Sequence, residues 1–558
     1  MVWFSQVFDL LSVILRAFGL AFEALTLGGW LVLFLVTAPS VFNGEAVCSD
    51  ASRRAVARGA AWTALALAVV QALSAAESAV ELMSSSGMRF AEVASAEFFR
   101  ADVAIVVSAL VLFLLLRLMA RSSMRWPVWP GAIFALALLS GSVMLSHAPS
   151  QLEHRGLLVV LTAAHHAGSA AWIGAMPWLL IAMRRVGGEQ AQVARTLHAM
   201  ARRFSAMAIV AVATLTAAGA GMAWYYVRSW DGLYGTAYGA LLVAKIVLVA
   251  VALCLGASNW WLLRATRGDA QPVLVRLRRF SEAEIGLGFT AILLGASLTA
   301  QPPAADIHAD RLTAHEVMAR FEWKTPLLTT PSFDKLSKRQ ALKDDLEETS
   351  FTGGSENDAM DRAWSEYNHH WAGIIVLAAG LLACFARLAD RDHAPRLFRE
   401  LLRGWPLLFI GLAVFILLRG DPDAWPLGPR PFWGSFAEAE VLEHRIFAVL
   451  ITGFAVFEWA VETGRLRQRW AALVFPAMCA AGGAFLMTHS HALGEVKDET
   501  LVEMSHTAIA VFGVLAGWSR WVALRLSPRD ARAAAVLNWV WPVCLALVGL
   551  VLLDYREG

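Results

Sequence analysis

Two short stretches far apart in the chain place imidazole and thioether side chains at the end of an apolar run. The first is Met144-Leu145-Ser146-His147-Ala148, and the second is Met487-Thr488-His489-Ser490-His491-Ala492. Met144 and His147 are three residues apart, and Met487 and His491 are four apart, so each pair would share one face of a helix. Imidazole suits Cu, Zn, Fe and Ni, and thioether sulfur selects Cu(I). The two stretches therefore predict places where a soft metal ion is captured.

The apolar run after each stretch contains further histidines. His165 and His166 follow the first stretch, His506 follows the second beside Met504, and His444 opens an earlier apolar run. A polar side chain within a membrane-spanning helix is costly there and usually faces the bundle interior or a functional site. The predicted metal ligands are His147, His165, His166, His444, His489, His491, His506, Met144, Met487 and Met504.

The spacing also predicts which residues accompany these ligands. His165, Trp172 and Met176 are seven and four residues apart, which predicts one helix face leading inward from an outer site. Lys245 is interpreted as the partner of Glu77 or Glu81 in an ion pair. The remaining outer histidines are interpreted as ordinary loop or interfacial residues, namely His154, His308, His315, His369 and His370.

The composition indicates a membrane protein. Of the 558 residues, 58% are hydrophobic and only 16% are charged, against roughly 25% charged in an average soluble domain. The five cysteines form no CxxC pair, so neither a thiolate metal site nor a disulfide framework is indicated. There is no nucleic-acid motif and no nucleotide-binding signature. The first apolar run lacks a basic n-region and a cleavage site, which favours a permanent span.

The apolar blocks are about 20 residues long, which is the length that crosses a bilayer as a helix. The sequence therefore predicts an all-α polytopic membrane protein with about 14 transmembrane helices. Arginine-rich short loops follow every odd-numbered span, so these loops are expected in the cytoplasm and both termini outside it. The predicted spans are 10–36, 58–82, 101–120, 129–147, 156–183, 205–227, 240–263, 281–301, 370–388, 404–419, 442–463, 470–488, 502–524 and 536–554.

One long polar segment divides the chain. We predict an eight-span membrane domain over 1–301, an extracytoplasmic connector over 302–368, and a six-span membrane domain over 369–558. The two stretches that contain Ser-His-Ala fall in corresponding trios of spans that run in the same direction. This correspondence suggests a parallel internal repeat, an arrangement common in transporters.

The first domain resembles the CopD/PcoD family of bacterial copper-resistance inner-membrane proteins over about residues 90–306. The resemblance is carried by Ser146-His147-Ala148, the run from His165 to Gly174, Arg203-Phe204-Ser205, Thr236-Ala237-Tyr238-Gly239 with Lys245 and Asn259, and the closing run from Leu298 to Ala304. It implies copper handling, uptake across the inner membrane, and a periplasmic CopC-type partner. His165 takes the place of the family's helix histidine, and His166 is a departure or an extra ligand.

Three functions remain open at this stage. The first is a permease that moves copper, as Cu(I), from periplasm to cytoplasm through the bilayer. The second is an electron-transfer protein that binds b-type haem through His165, His166 and His506, with Gly168, Ser169, Gly482 and Gly483 lining the cavity. The third is a copper sensor or chaperone-docking protein that does not transport. No nucleophile-and-base signature indicates an enzyme.

Overall fold

The computed structural model describes residues 2–37, 49–121, 128–187, 190–265, 271–307, 310–331, 354–391, 394–422, 424–437, 439–487 and 496–556. In this part of the chain the regular structure is helical, apart from an isolated β-bridge between Ala424 and Arg430. The α-helices are α1 (Val2–Leu31), α2 (Asp50–Ser85), α3 (Phe90–Ser95), α4 (Glu97–Arg121), α5 (Val128–Met144), α6 (Arg155–Ser169), α7 (Met176–Arg184), α8 (Gln190–Tyr226), α9 (Trp230–Tyr234), α10 (Ala237–Ala265), α11 (Gln271–Ala300), α12 (Ala314–Arg320), α13 (Gly354–Arg391), α14 (Arg396–Leu402), α15 (Leu408–Arg419), α16 (Ala439–Glu462), α17 (Val474–Leu486), α18 (Val496–Arg525) and α19 (Ala531–Leu553).

The helices confirm the all-α polytopic fold. Among the described residues, 12 helical segments are long and apolar enough to cross a membrane. Two shorter apolar helices, Trp129–Met144 and Ala471–Leu486, lie at the fourth and twelfth predicted spans. Each of the predicted spans therefore coincides with an apolar helix. The internal repeat stays a prediction.

The fifth span is interrupted beside the predicted ligands. It consists of α6, a π-helical turn at Ala170–Gly174, and α7. Pro177 lies at the start of α7 and has no amide hydrogen, so it cannot donate to the carbonyl of Ile173. The missing bond accounts for the wider turn, and π turns are frequent at functional sites.

The chain forms two compact units. The first comprises residues 1–230 and 245–306, and the second comprises residues 231–244 and 307–558. In the first unit α1 packs directly against the π turn, since a Cβ at Gly28 would overlap the backbone of Gly174. The absence of a side chain at Gly28 thus brings α1 to within backbone contact of the fifth span.

The second unit is built around an aromatic core. The rings of Trp405, Phe475 and Trp541 lie 5.4–5.5 Å apart between centroids, and each of these residues is at most 1% exposed.

Beside this core lies a buried ion network. Arg520 of α18 contacts Glu462 at 2.8 Å and Glu458 at 3.2 Å. These two ion pairs connect α16 to α18.

Residues 310–331 of the predicted connector belong to the second unit and contact its helices. Glu316 of α12 bonds to Lys497 of α18 at 2.9 Å. Arg320 donates to the Ser505 hydroxyl at 2.7 Å and also to the carbonyl of Asp554. The segment that contains α12 is therefore anchored to the same helix that carries His506.

We predict that Gly28→Ala destabilises the protein by about 1–3 kcal/mol, because the added methyl group forces α1 away from the π turn. The matched control is Gly453→Ala in α16, where a Cβ would meet nothing within 4 Å. Alanine has the higher helix propensity, so the control variant should be as stable as the wild type or more stable. Thermal unfolding in detergent measures both variants. Equal melting temperatures for the two would contradict the close helix contact.

Candidate functional sites

A histidine–carboxylate pair lies within the first unit. His166 Nδ1 of α6 is 3.2 Å from Glu23 Oε1 of α1, and Glu23 is 5% exposed. The Ser142 hydroxyl of α5 donates to the other oxygen of Glu23 at 2.5 Å. A carboxylate at Nδ1 favours the hydrogen on that nitrogen and leaves the lone pair on Nε2. Metal-ligating histidines are usually oriented by such a partner.

His165 faces a different neighbour. Its Nδ1 lies 3.2 Å from the carbonyl oxygen of Leu215 in α8, and a Cβ at Gly219 would lie 3.3 Å from its ring. Trp172, which follows in the π turn, donates to Glu284 of α11 at 2.8 Å. The prediction that His165 and Trp172 share one helix face is wrong, because the π turn changes the register between them.

The first Ser-His-Ala stretch forms the corner between α5 and α6. Arg16 of α1 donates to the Leu145 carbonyl at 2.9 Å, and His147 Nε2 lies 3.2 Å from the Leu298 carbonyl. The prediction that Met144 and His147 share a helix face is also wrong. Helix α5 ends at Met144, so His147 lies in the turn that follows.

The described residues do not support the predicted ion pair of Lys245. Lys245 forms no ion pair with Glu77, Glu81 or any other described residue. Its ammonium group lies near Gly295 of α11, where a Cβ would be 3.3 Å from Nζ. The contact places the cation between α10 and α11 instead of against α2.

The second unit brings two histidines together. The rings of His369 in α13 and His506 in α18 lie 6.0 Å apart between centroids, at an interplanar angle of 88°. Tyr555 stacks on His369 at 3.8 Å and lies 5.7 Å from His506. His369, interpreted from the sequence as an ordinary loop or interfacial residue, thus packs against the predicted ligand His506.

Backbone carbonyls orient both imidazoles of this pair. His369 Nδ1 lies 2.9 Å from the Ser365 carbonyl, and His506 Nδ1 lies 3.0 Å from the Val502 carbonyl. Each bond is made one turn back on the histidine's own helix. A hydrogen on Nδ1 fits both contacts, so the lone pair of each ring is on Nε2. Neutral Nε2 is a common metal-binding nitrogen.

The neighbouring His370 has a different role. It accepts from the Leu327 amide at 2.8 Å, and its Nε2 lies 2.9 Å from the Tyr555 carbonyl. These bonds engage both ring nitrogens of a histidine that is 5% exposed. His370 therefore anchors the segment after α12 and the C-terminal segment, and it holds Tyr555 beside His369.

Three other predicted ligands of the second unit lie within the described residues. His444 Nδ1 is 3.3 Å from Asp421 Oδ1. Met487 at the end of α17 is 2% exposed. Met504 is two residues from His506 on α18 and so points away from it. His489 and His491 lie outside the described residues.

No complete metal site is formed by the described residues. Among them, no group of three or more His, Cys, Asp or Glu side chains is close enough to hold a metal ion. The structure thus brings together His166 with Glu23, and His369 with His506. It does not bring Met144, His147, Met504 or His165 into either pair.

Two of the glycines predicted to line a haem cavity pack closely against another helix. A Cβ at Gly168 would lie 2.9 Å from the Ala211 carbonyl, and one at Gly483 would lie 2.6 Å from the Ala510 carbonyl. These glycines therefore serve close helix packing and do not line a flat cavity. Tyr555 fills the space beside the line that joins His369 and His506, where a porphyrin ring would extend.

Sequence reasoning missed several residues of these sites. Glu284 is 3% exposed and accepts from Trp172, although it falls within the eighth predicted span. Treating every carboxylate within a predicted span as a functional candidate would have found it. Ser142 and Tyr555 carried no such signal, because only the packing of distant helices brings them to the histidines.

The fold and these sites define a polytopic helical membrane protein with histidines inside the helices of each of its two units. Residues 198–298 match the family model described as CopD, copper resistance protein D. The match confirms the resemblance predicted from the motifs for the stretch that runs from α8 to α11. The matched stretch contains Arg203, Lys245 and Asn259. His165 and His166 of α6 precede it.

A curated relative gives a second comparison. A stretch of 171 residues is 28% identical to the copper transport protein CutJ of Bacillus subtilis (strain 168). The matched stretch covers 30% of this chain and 30% of that protein, so less than a third of the relative's length is represented. No solved structure matches the chain.

Because Glu316 contacts Lys497 of α18, the free energy of unfolding should depend on pH. Its bond with Lys497, together with the backbone amide and hydroxyl of Thr313, lowers the pKa of Glu316 from 4.5 to about 2. A carboxyl whose pKa is lowered on folding stabilises the native state above the unfolded pKa. This contribution is lost as the pH falls from about 4.5 toward 2.

We therefore expect Glu316→Gln to lower the melting temperature at pH 7, and the difference from wild type to shrink as the pH approaches 3. Thermal unfolding of the detergent-solubilised protein across this range measures the effect. The matched control is Glu322→Gln, an exposed side chain in the turn that follows α12. A wild-type advantage that stays constant down to pH 3 would contradict the Glu316–Lys497 contact.

Proposed function

We propose that this protein moves copper across a membrane and that the imidazoles of its membrane-spanning helices bind the ion. The observation that carries the proposal is the His369–His506 pair, in which two helices place imidazoles 6.0 Å apart. The pair belongs to a chain whose residues 198–298 match the copper resistance family. Copper is the cargo of the protein, and the reaction requires no enzyme chemistry.

The chemistry of the ligands favours Cu(I). Each ring of the pair has its lone pair on Nε2, as does His166 in the first unit, and imidazole is a good ligand for copper. The thioethers of Met144, Met487 and Met504 would add selectivity for Cu(I) along the route. His147, His444, His489 and His491 would capture the ion at the outer ends of the spans.

The resemblance to the copper-resistance family favours a bacterial inner membrane, and the basic loops after the odd-numbered spans favour both termini in the periplasm. Copper then moves from periplasm to cytoplasm, and the membrane potential assists by about 2.3 kcal/mol per charge per 100 mV. A separate periplasmic protein of the CopC type would deliver the ion. Both units lie within the lipid bilayer.

The proposal predicts that the double variant His369→Ala/His506→Ala loses much of its affinity for Cu(I). The loss should exceed the roughly 10–100-fold that follows replacement of a residue that only orients a ligand. The measurement is competition with a chromophoric Cu(I) chelator, using the full-length protein in detergent. The control is His198→Ala, which removes an exposed histidine of α8.

Copper uptake into proteoliposomes completes this test. Wild type and His198→Ala should accumulate the ion, and the double variant should not. If the double variant melts at the wild-type temperature and still binds and accumulates copper normally, the pair is not part of the route. A wild-type protein that accumulates none would overturn the transport proposal.

A second prediction concerns the first unit. Glu23→Gln keeps the shape of the side chain but removes the carboxylate that orients His166. We expect copper affinity at this site to fall about 10–100-fold, because the hydrogen is no longer held on Nδ1. The measurement is made in the His369→Ala/His506→Ala background, so that only the first unit binds. Unchanged affinity would mean that the Glu23–His166 pair is structural only.

A further inference from the structure

Glu284 is a carboxylate at the centre of a helix contact in the first unit. It lies in α11, within the apolar span Val275–Asp306, and is 3% exposed. The Trp172 indole of the π turn donates to Oε1 at 2.8 Å. A Cβ at Gly256 would lie 2.9 Å from the same oxygen. The chain therefore provides a fitted pocket for this carboxyl group.

No cation among the residues that the structure describes forms an ion pair with Glu284. On its own helix, the neighbouring Glu282 takes the nearest guanidinium groups, those of Arg279 at 2.9 Å and Arg278 at 3.4 Å.

The helices packed against α11 carry other charged side chains, and each of these lies beside groups other than Glu284. From α1, Glu23 contacts His166 and Arg16 donates to Leu145. From α7, Arg184 lies near Glu282 and Arg278. From α10, the ammonium of Lys245 lies beside Gly295, eleven residues along α11 from Glu284. Eleven residues correspond to roughly 16 Å of helix.

In these surroundings the Glu284 carboxyl group can be either neutral or ionised, so it can bind and release a proton. The neutral acid is the form that an apolar interior accepts most easily, because an unpaired charge there is very costly. The ionised form remains accessible, since the Trp172 indole donates to it. Ionisable residues inside membrane spans commonly form part of proton or ion pathways.

Trp172 connects this carboxyl to the histidines. It lies in the π turn that joins α6 to α7, six residues after His166. Its bond to an ionised carboxylate is about twice as strong as its bond to a neutral acid. Protonation of Glu284 therefore loosens the hold of α11 on the π turn, and loss of the proton restores it.

We propose that Glu284 binds and releases one proton in each transport cycle, and that Trp172 transmits its protonation state to His165 and His166. The inference rests on the proposed copper transport. The carboxylate takes the proton from the outer solution and releases it to the inner one, so the proton accompanies the ion. Only an O–H bond forms and breaks, and copper keeps its oxidation state.

The proton site itself is tested without copper. Infrared difference spectra of the full-length protein, recorded as the pH is varied, should contain a protonated-carboxyl C=O band that titrates. The band should be missing from Glu284→Gln and present in Glu282→Gln, the neighbouring carboxylate that is paired with arginines. Spectra in which Glu284→Gln loses no titrating band would overturn the inference, whether or not the protein transports copper.

Coupling is tested in proteoliposomes with the membrane potential clamped. One proton per copper ion predicts that the wild-type accumulation ratio rises about tenfold for each unit by which the outside is more acidic. Glu284→Gln should accumulate copper to a ratio that does not depend on the pH difference, and Glu282→Gln should behave as wild type. Trp172→Phe should keep the infrared band and lose most of the pH effect.

These outcomes separate the two proposals. Copper accumulation by the wild type that ignores the pH difference would overturn proton coupling and leave copper transport intact. Absence of any accumulation would overturn copper transport, while the infrared titration would still decide whether Glu284 binds a proton. Melting temperatures of all variants show whether a lost effect reflects unfolding.

Discussion

Polar groups inside apolar helices must find their partners within the protein, because hydrocarbon offers none. Glu23 depends on Ser142 and His166, and Asp102 on Gln71, which donates to it at 2.5 Å. In each case the partner comes from another helix. The energetic need to satisfy these groups therefore fixes which faces of α1, α2, α4, α5 and α6 point at one another. The same requirement leaves the imidazoles in defined orientations before any ion arrives.

Close approach of backbones makes these contacts possible. Gly28 lets α1 meet the π turn, and Gly168 lets α6 meet α8, so that side chains as short as serine reach across. The π turn adds a change of register within the fifth span. Because of it, His166 faces α1 while Trp172 faces α11, and one span connects a histidine–carboxylate pair with a second buried carboxyl. A continuous α-helix would not present these side chains in the same way.

The second unit separates two kinds of polar cluster along the same helices. His506 and Arg520 are fourteen residues apart on α18, which corresponds to roughly 21 Å. The end with Arg520, Glu458 and Glu462 is a paired ion network whose charges satisfy one another. The end with His369 and His506 carries neutral rings oriented by backbone carbonyls and by Tyr555. The ion network resists movement of α16 against α18.

The sequence by itself determined the class of fold and the residue types of the sites. Each predicted span coincides with an apolar helix, because blocks of about 20 apolar residues have one stable arrangement in a bilayer. His166 and His506 were predicted because a polar residue inside such a block is costly. Only the tertiary structure decided which side chains meet. The pairing of His506 with His369, the carboxylate behind His166 and the role of Glu284 depend on contacts between helices distant in sequence. The shared faces predicted for Met144 with His147 and for His165 with Trp172 failed because a helix end and a π turn interrupt the regular period.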